Sequence, residues 1–420
     1  MKKDLIIIGA GPAGLMSAIK AAEEGVKAPL ILEAMPKPAR KLGISGKGRG
    51  NITNTASYHD FLRHFNNHGR FLKTAFKKFF NEDLIHFFNI EGLETVIERG
   101  GRVFTASGKA PEIVARLVRA AEKRGARILA SHRVTSAEPL KEGGFIVKTS
   151  QNGHFTAKRL IIATGGQSYP LTGSTGDGYR FAQACGHSIV NPLPSLVPLR
   201  PTIPTSAQLE GLLLKNVTAT LMVNGKKQAS KTGEMMFLDQ MLAGAIIITL
   251  SRQAVPALAK NNKVEIILDL KPALSHEKLD LRILRDIEKL KNQPLHKLLA
   301  GLMPGALIDV CIKNCGLNPK ANCANFSAES RRKLRNWLKE WRFIIKEPGP
   351  WSQAIVTAGG VNTAEIDQTT MESKLVRGLY LAGEVIDIDA DTGGYNLQAA
   401  FSTGWLAGAS TAASLSRRNS

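Results

Sequence analysis

The sequence predicts an α/β fold. One nucleotide-binding domain, wound around a parallel sheet, is split in sequence by a small β domain and a helical part. Three observations carry this expectation. Residues 4–33 run strand, glycine turn, helix, strand and acid, the order a dinucleotide fingerprint needs. At Asn191 the texture changes, first to proline-punctuated short strands and then to basic helices. Residues 354–420 return to the first texture, with a strand at 379–382 and a glycine-led helix behind it.

The fingerprint comes first. Leu5 to Ile8 is an apolar run of strand length, and Gly9, Gly11 and Gly14 follow as G-x-G-x-x-G. Gly9 permits the tight turn, Gly11 lets backbone approach a pyrophosphate, and Gly14 lets helix and strand pack closely. The helix behind them offers unpaired N–H groups and a positive dipole end to the diphosphate. Glu33 closes the second strand 19 residues after Gly14, where an acid accepts from a ribose hydroxyl.

Next, Arg40 to Asn51 alternates glycines with basic and hydroxyl residues, a loop that can lay N–H groups and cations against phosphates or an electron-rich ring. Residues 60–90 read as basic helices whose phenylalanines belong in a core. Pro111 opens a helix to about Arg124. Segments 127–135, 144–149 and 154–158 alternate like strands. A further buried strand at 159–162 leads into Ala163-Thr164-Gly165-Gly166, which suits the far side of the same nucleotide site. Asp177, in Thr175-Gly176-Asp177-Gly178, is expected to cap the next helix.

The inserted part divides at about residue 270. Within 192–270, segments 219–223, 245–250 and 264–268 read as strands. Residues 271–341 read as helices, and 342–353 return to close the β part. The flanking domain is then 1–191 with 354–420. In segment 331–342, Leu334, Trp337, Leu338 and Trp341 fall on one helical face and cations cover the rest.

Charge is the unusual feature. Among 420 residues there are 56 Lys and Arg against 35 Asp and Glu, a formal net charge of +21. Such a chain attracts polyanions, chiefly nucleic acid and anionic membrane. Two regions concentrate the charge: residues 40–80, where Asp60 is the one acid set against nine cations, and residues 271–346, with 16 basic and 7 acidic side chains. Four cysteines make no disulfide framework and no zinc pattern, so no metal is expected. No apolar run is long enough to span a bilayer, and the apolar N-terminus is consumed by the first strand, so a cytoplasmic protein is expected.

Joined together, GAGPAG with Glu33, ATGG at 163–166 and LYLAGE at 379–384 resemble the two-dinucleotide-binding-fold flavoproteins, and TGDG at 175–178 adds a likeness to their fumarate-reductase-like branch. More narrowly, RKLGISGKGRGNITN (40–54), GGRVFTASGKA (100–110), TAGGV (357–361) and the stretch 371–404 are similar to the YhiN/BaiN family of FAD-dependent oxidoreductases. The resemblance implies a Rossmann-like FAD-binding domain, discontinuous in sequence, with a β-barrel-like insert and a helical subdomain. It also implies bound FAD and NAD(P)H as transient reductant. Family activities differ: reduction of uridine in ribosomal RNA, steps in bile-acid reduction, and oxidation of small amines.

Carried over by position, Gly9, Gly11, Ala13 and Gly14 should hold the diphosphate and Glu33 the ribose. Lys41, Ser45, Gly46 and Gly48 should line the cofactor, as should Val134. Thr164 and Gly165 should approach the adenosine half, and Gly383, Glu384 and Asp387 the ribityl–phosphate region. Gly394, Asn396, Leu397 and Gln398 should reach the flavin edge. Two departures stand out. The family has Cys where this chain has Gly50, and Thr-His then Ser-Gly-Pro where it has Leu238-Asp239 and Ala243-Gly244-Ala245. With that thiol missing, Lys47, Tyr395 and Asp239 are the candidate proton donors. The expected reaction is hydride transfer to an electron-poor C=C, with uridine in ribosomal RNA as one substrate. The alternatives are a flavin-dependent reductase or oxidase of a small metabolite, and a flavin-bearing binding protein without turnover.

Overall fold

A computed structural model describes residues 2–151 and 153–417. The chain divides into two compact units, Met1–Pro194 with Ala354–Ser420 and, between them in sequence, Ser195–Gln353.

The first unit is built on a seven-stranded sheet. Lys2–Ile8 lies at its centre, parallel to Leu30–Leu32 on one side and to His154–Ile162 on the other. Arg127–Leu129 extends the sheet beyond Leu30–Leu32. The expected strands at 154–158 and 159–162 are one continuous strand. Its first half pairs antiparallel with Phe145–Thr149, and its last three residues pair parallel with Leu379–Leu381. Near-continuous apolar runs suit strands covered on both faces, and Leu5 to Ile8 and Leu160 to Ile162 are all buried. A separate three-stranded sheet joins Asn51–Asn54, Arg102–Thr105 and Thr95–Glu98.

The helix Pro12–Glu23 packs against the C-terminal helix Tyr395–Ser416 at backbone distance. A Cβ on Gly404 would lie 2.3 Å from Ala13 O, and one on Gly408 would lie 2.4 Å from Ser17 O. Ser17 Oγ donates to Gly404 O at 2.9 Å across the same contact. At the far end of the C-terminal helix the buried Arg159 donates to Ser414 Oγ and Ser414 O, placing a cation against the negative end of the helix dipole. The phenylalanines of 60–90 are core as expected: Phe61, Phe65, Phe76 and Phe88 are buried, and Phe61 meets Tyr395 edge-on at 4.7 Å. Asp177 is not a cap. Gly176, with φ +79°, takes the N-cap position, and Asp177 in the first turn pairs with Arg133 instead.

In the second unit six strands close a barrel in the order Leu199–Pro201, Met241–Ala243, Lys226–Leu238, Leu213–Val223, Val264–Asp269 and Trp341–Pro348. Residues 245–250 do not form a strand. They open the helix Ala245–Ala259, whose buried Ile246, Ile247, Leu250, Ser251, Ala254 and Val255 recur at helical spacing. A short apolar run fits either state, and here its length beyond residue 250 decides. Four helices follow, His276–Lys289, Leu295–Leu302, Ile308–Cys315 and Ala328–Lys339. The amphipathic segment 331–342 is cut at Lys339: Leu334, Trp337 and Leu338 are buried on the helix, whereas Trp341 begins a barrel strand and packs its ring 4.9 Å from Trp337. All four cysteines are buried and unpaired, and no single helix among the described residues is long and apolar enough to cross a membrane.

Substituting Gly404 by Val should overpack the helix contact and cost ~1–3 kcal/mol or more, seen as a lower thermal midpoint. Gly301→Ala is the matched control. A Cβ there meets open space, so stability should rise by up to about 1 kcal/mol.

Candidate dinucleotide site

The three fingerprint glycines do three different things. Gly9 has φ +102°, and its Cβ would lie 2.5 Å from Ala163 O, so the turn presses on the end of the neighbouring strand. A Cβ on Gly14 would sit 1.9 Å from Gly9 O, so the helix lies directly on the turn. Gly11 is the helix N-cap, with no side-chain cap and nothing within 4 Å of its would-be Cβ. The first intrahelical bond is Leu15 N to Gly11 O, so the amides of Ala13 and Gly14 precede it and are left to a ligand.

Glu33 is almost fully buried. Its Oε2 accepts from Ala10 N and its Oε1 from Met35 N, each at 2.8 Å. Burial pushes its carboxyl up, opposed by those two amides and by the charge of Arg133. The carboxylate is thereby oriented at the end of the second strand beside the glycine turn, with acceptor capacity left for hydroxyl donors. Val134 begins a strand in the same unit and is buried.

The rest of the cradle comes from distant sequence. Thr164 and Gly165 follow the strand on which Gly9 rests, and a Cβ on Gly178 would lie only 2.0 Å from Thr164 Oγ1. Gly383 approaches Ala13, where its own Cβ would meet Ala13 Cβ at 2.8 Å, and its N–H donates to Thr403 Oγ1. Lys41 Nζ donates to Glu384 Oε2 at 2.7 Å and to Ser168 Oγ. Glu384 Oε1 accepts from Ser168 Oγ at 2.9 Å and from Thr357 N at 2.8 Å. Lys41 and Glu384, 343 residues apart, thus form one half-buried ion pair.

In the loop after Lys41, Ser45 Oγ is a buried polar atom with no protein partner among the described residues. Gly46 and Lys47 both take left-handed backbone with φ 58°, and Lys47 is exposed. Gly48 is also left-handed, with open space at its Cβ. Gly50 has φ +73°, and a side chain there would strike Ile113 Cδ1 at 2.4 Å and Ala110 Cα at 3.1 Å. Position 50 therefore points into the helix Ala110–Lys123, and no thiol fits it without movement.

At the start of the C-terminal helix, Gly394 is the N-cap with φ +100°. The amides of Tyr395, Asn396 and Leu397 precede the first intrahelical bond, Gln398 N to Gly394 O. Two side chains expected at the ligand edge are spent elsewhere. Asn396 braces its own turn through Ala390 N, Ala390 O and Asp391 O. Gln398 is fully buried between Thr53 Oγ1 and Ser402 Oγ. What this turn offers a ligand is backbone. Asp387 accepts from Gly359 N and faces His68 Nε2 at 3.8 Å.

The candidate proton donors separate. Tyr395 is 6% exposed, with His64 stacked on its ring at 3.8 Å, and burial, then Asp391 and Asp60, push its phenol up. Lys47 is on the surface. Asp239 belongs to the barrel unit, where it accepts from Gln353 Nε2 at 2.7 Å. Sequence reasoning missed Ser168, whose hydroxyl joins Lys41 and Glu384, Thr357, whose N–H donates to Glu384 and whose Oγ1 accepts from Gln167 N and Ser168 N, and His64, whose Nδ1 lies 2.9 Å from Asp391 Oδ2. The one available signal was spacing: His64 and His68 are four apart, as are Asp387 and Asp391.

The fold is of the Rossmann class, and the glycine turn with Glu33 has the layout of a dinucleotide fingerprint. The family model "HI0933-like protein Rossmann domain" matches residues 3–410, and the chain belongs to that family, one of flavoprotein oxidoreductases. It is 32% identical to a ribosomal RNA dihydrouridine synthase of Haemophilus influenzae, over 95% of this chain and 96% of that one. It is 28% identical to a 3-dehydro-bile acid delta(4,6)-reductase of Clostridium scindens, over 97% and 98%. Among solved structures, a mutant of the Escherichia coli quinol fumarate reductase FrdA shares the fold at TM-score 0.53 and 16% identity, covering 100% of this chain and 71% of its own. A flavocytochrome c3 fumarate reductase does so at TM-score 0.52 and 18% identity, covering 99% and 78%.

Because Gly11 faces open space and Gly14 faces backbone, their alanine variants should part ways. Gly11→Ala should keep the thermal midpoint of nucleotide-free wild type and lose nucleotide, read as cofactor released per mole of denatured protein. Gly14→Ala should fail to fold stably.

Proposed function

We propose that this chain binds FAD and, with NAD(P)H as reductant, reduces an electron-poor C=C bond, the uracil ring of uridine in ribosomal RNA. The observation that carries the reading is a pair of helix starts in one unit, at Gly11 and Gly394, both leaving first-turn amides open. The fit to FAD rests on the open space at Gly11, the orphaned Ser45 Oγ and the Glu33 carboxylate. In this reading Gly9, Gly11, Ala13 and Gly14 hold the diphosphate, Glu33 the ribose, and Val134, Thr164 and Gly165 the adenosine half. Ser45, Gly46 and Gly48 line the flavin, while Gly383, Asp387 and the Lys41–Glu384 pair hold the ribityl side. The amides of Asn396 and Leu397 would hold the flavin edge, where a helix N-terminus favours negative charge.

When bound, flavin supplies hydride transfer between a nicotinamide and a carbon acceptor. The chain's own task is to orient the acceptor and deliver one proton. Gly50 provides no acid. Tyr395 is nearly sealed beneath the His64 ring, whereas Lys47 is exposed on the cofactor loop, so Lys47 is the more accessible donor of the two. The RNA assignment is supported by the net charge of +21 and by similarity to a ribosomal RNA dihydrouridine synthase over nearly the whole chain.

A second reading, a reductase of a small metabolite, draws on the bile acid reductase and on the inserted helices. There Arg331 and Arg335 are tied to Asp280 and Lys339 to Asp269, so these three cations are engaged within the protein.

The expected result is that purified protein carries flavin that NADPH bleaches. Deleting the gene should remove dihydrouridine from ribosomal RNA, measured by nucleoside mass spectrometry, with wild type but not Gly11→Glu restoring it. An unchanged dihydrouridine content would reject the RNA assignment, and protein without flavin would reject the whole reading.

A further inference from the structure

Granted the RNA assignment above, we infer that the hairpin Thr95–Thr105 is the surface on which the RNA phosphodiester backbone docks. The hairpin pairs Thr95–Glu98 with Arg102–Thr105, and its tip is Arg99-Gly100-Gly101-Arg102. Arg99 is exposed and forms no ion pair among the described residues. Arg102 and Arg49 lie over the ring of Phe104, with guanidinium carbons 5.5 and 4.4 Å from its centroid. Both guanidinium groups are about half exposed, and Glu98 is the acid they share. Two arginines thus share one carboxylate, and a third, Arg99, stands exposed at the tip beside them. Arg is suited to phosphate because its planar fork donates in pairs.

Position separates this patch from other basic surface. Asn54 Nδ2 donates to Gly100 O at 3.0 Å and to Gly393 O at 3.1 Å. One amide therefore ties the cationic tip to the residue before the N-cap of the C-terminal helix, beside the proposed reacting edge. Thr55 N, donating to Gly101 O at 2.7 Å, fixes the tip a second time. The tip is held rigidly, so it can set the register of a bound strand. Val96 and Ile97, 41% and 65% exposed on the outer strand, add apolar surface on which an unstacked base can lie. By sequence the cations concentrate at residues 40–80, which include Arg49, and at 271–346; on the inserted helices some are paired within the helix, as in Lys333–Glu329 and Arg282–Asp286, whereas the hairpin tip is tied to the Gly393 turn.

The test is binding of purified ribosomal RNA from cells lacking the gene, measured with the flavin-loaded protein across a salt series. Arg99→Gln/Arg102→Gln should retain wild-type flavin content and thermal midpoint. It should weaken RNA binding and make the slope of log K against log[salt] shallower by about 1 to 1.5, as expected when two contacts to single-stranded phosphate are lost. Arg332→Gln/Lys313→Gln on the inserted helices should leave the slope unchanged. A salt-dependent wild type whose slope the hairpin variant does not alter would overturn the docking assignment alone. A wild type whose binding ignores salt would overturn the RNA reading beneath it as well.

Discussion

Backbone pressed on backbone is the constraint on which the nucleotide-binding unit depends. Gly14 lies on Gly9, Gly9 on Ala163, and Gly404 and Gly408 on the helix Pro12–Glu23. At each contact a single Cβ would collide with a carbonyl oxygen. These contacts place the N-terminus of the first helix above the sheet and bring the C-terminal helix alongside it, though the two are some 380 residues apart in sequence. Both helix starts then belong to one cradle. The free energy for this comes from the buried apolar strands and the alanine-rich helix faces, while the glycines decide where that burial puts the amides.

The polar groups of the cradle are held by one another. Glu33 is buried against two amides, and Lys41 is bound by Glu384 and Ser168. A buried carboxylate without such partners would be protonated or drawn to solvent. This arrangement fixes orientation before any ligand arrives, so little ordering is left to binding. It also accounts for Asn396 and Gln398, whose side chains maintain the turn from which backbone amides are presented.

The charge of +21 is distributed less simply than composition suggests. In the inserted helices part of it is paired with acids one turn away or on an adjacent helix. Around the hairpin 95–105 the arginines outnumber their shared acid. Uncompensated charge near a reactive site, rather than total charge, is what can steer a polyanion into a productive position.

Read along the chain, the sequence carries the α/β class, the return of the first texture after the insert, and the fingerprint glycines with Glu33, because each is a local pattern with a local physical cause. The family was legible in contiguous motifs for the same reason. It misread residues 245–250, since a short apolar run fits a buried strand and a buried helix equally, and it carried one amphipathic stripe past Lys339 into a strand. Packing between distant elements is what turns Gly50 toward Ile113, seals Gln398 inside, brings Ser168 and Thr357 to the Lys41–Glu384 pair, and lets Asn54 join the hairpin tip to Gly393. These facts depend on which distant side chains share a volume, and that is set by how whole elements pack. No window of neighbouring residues encodes it.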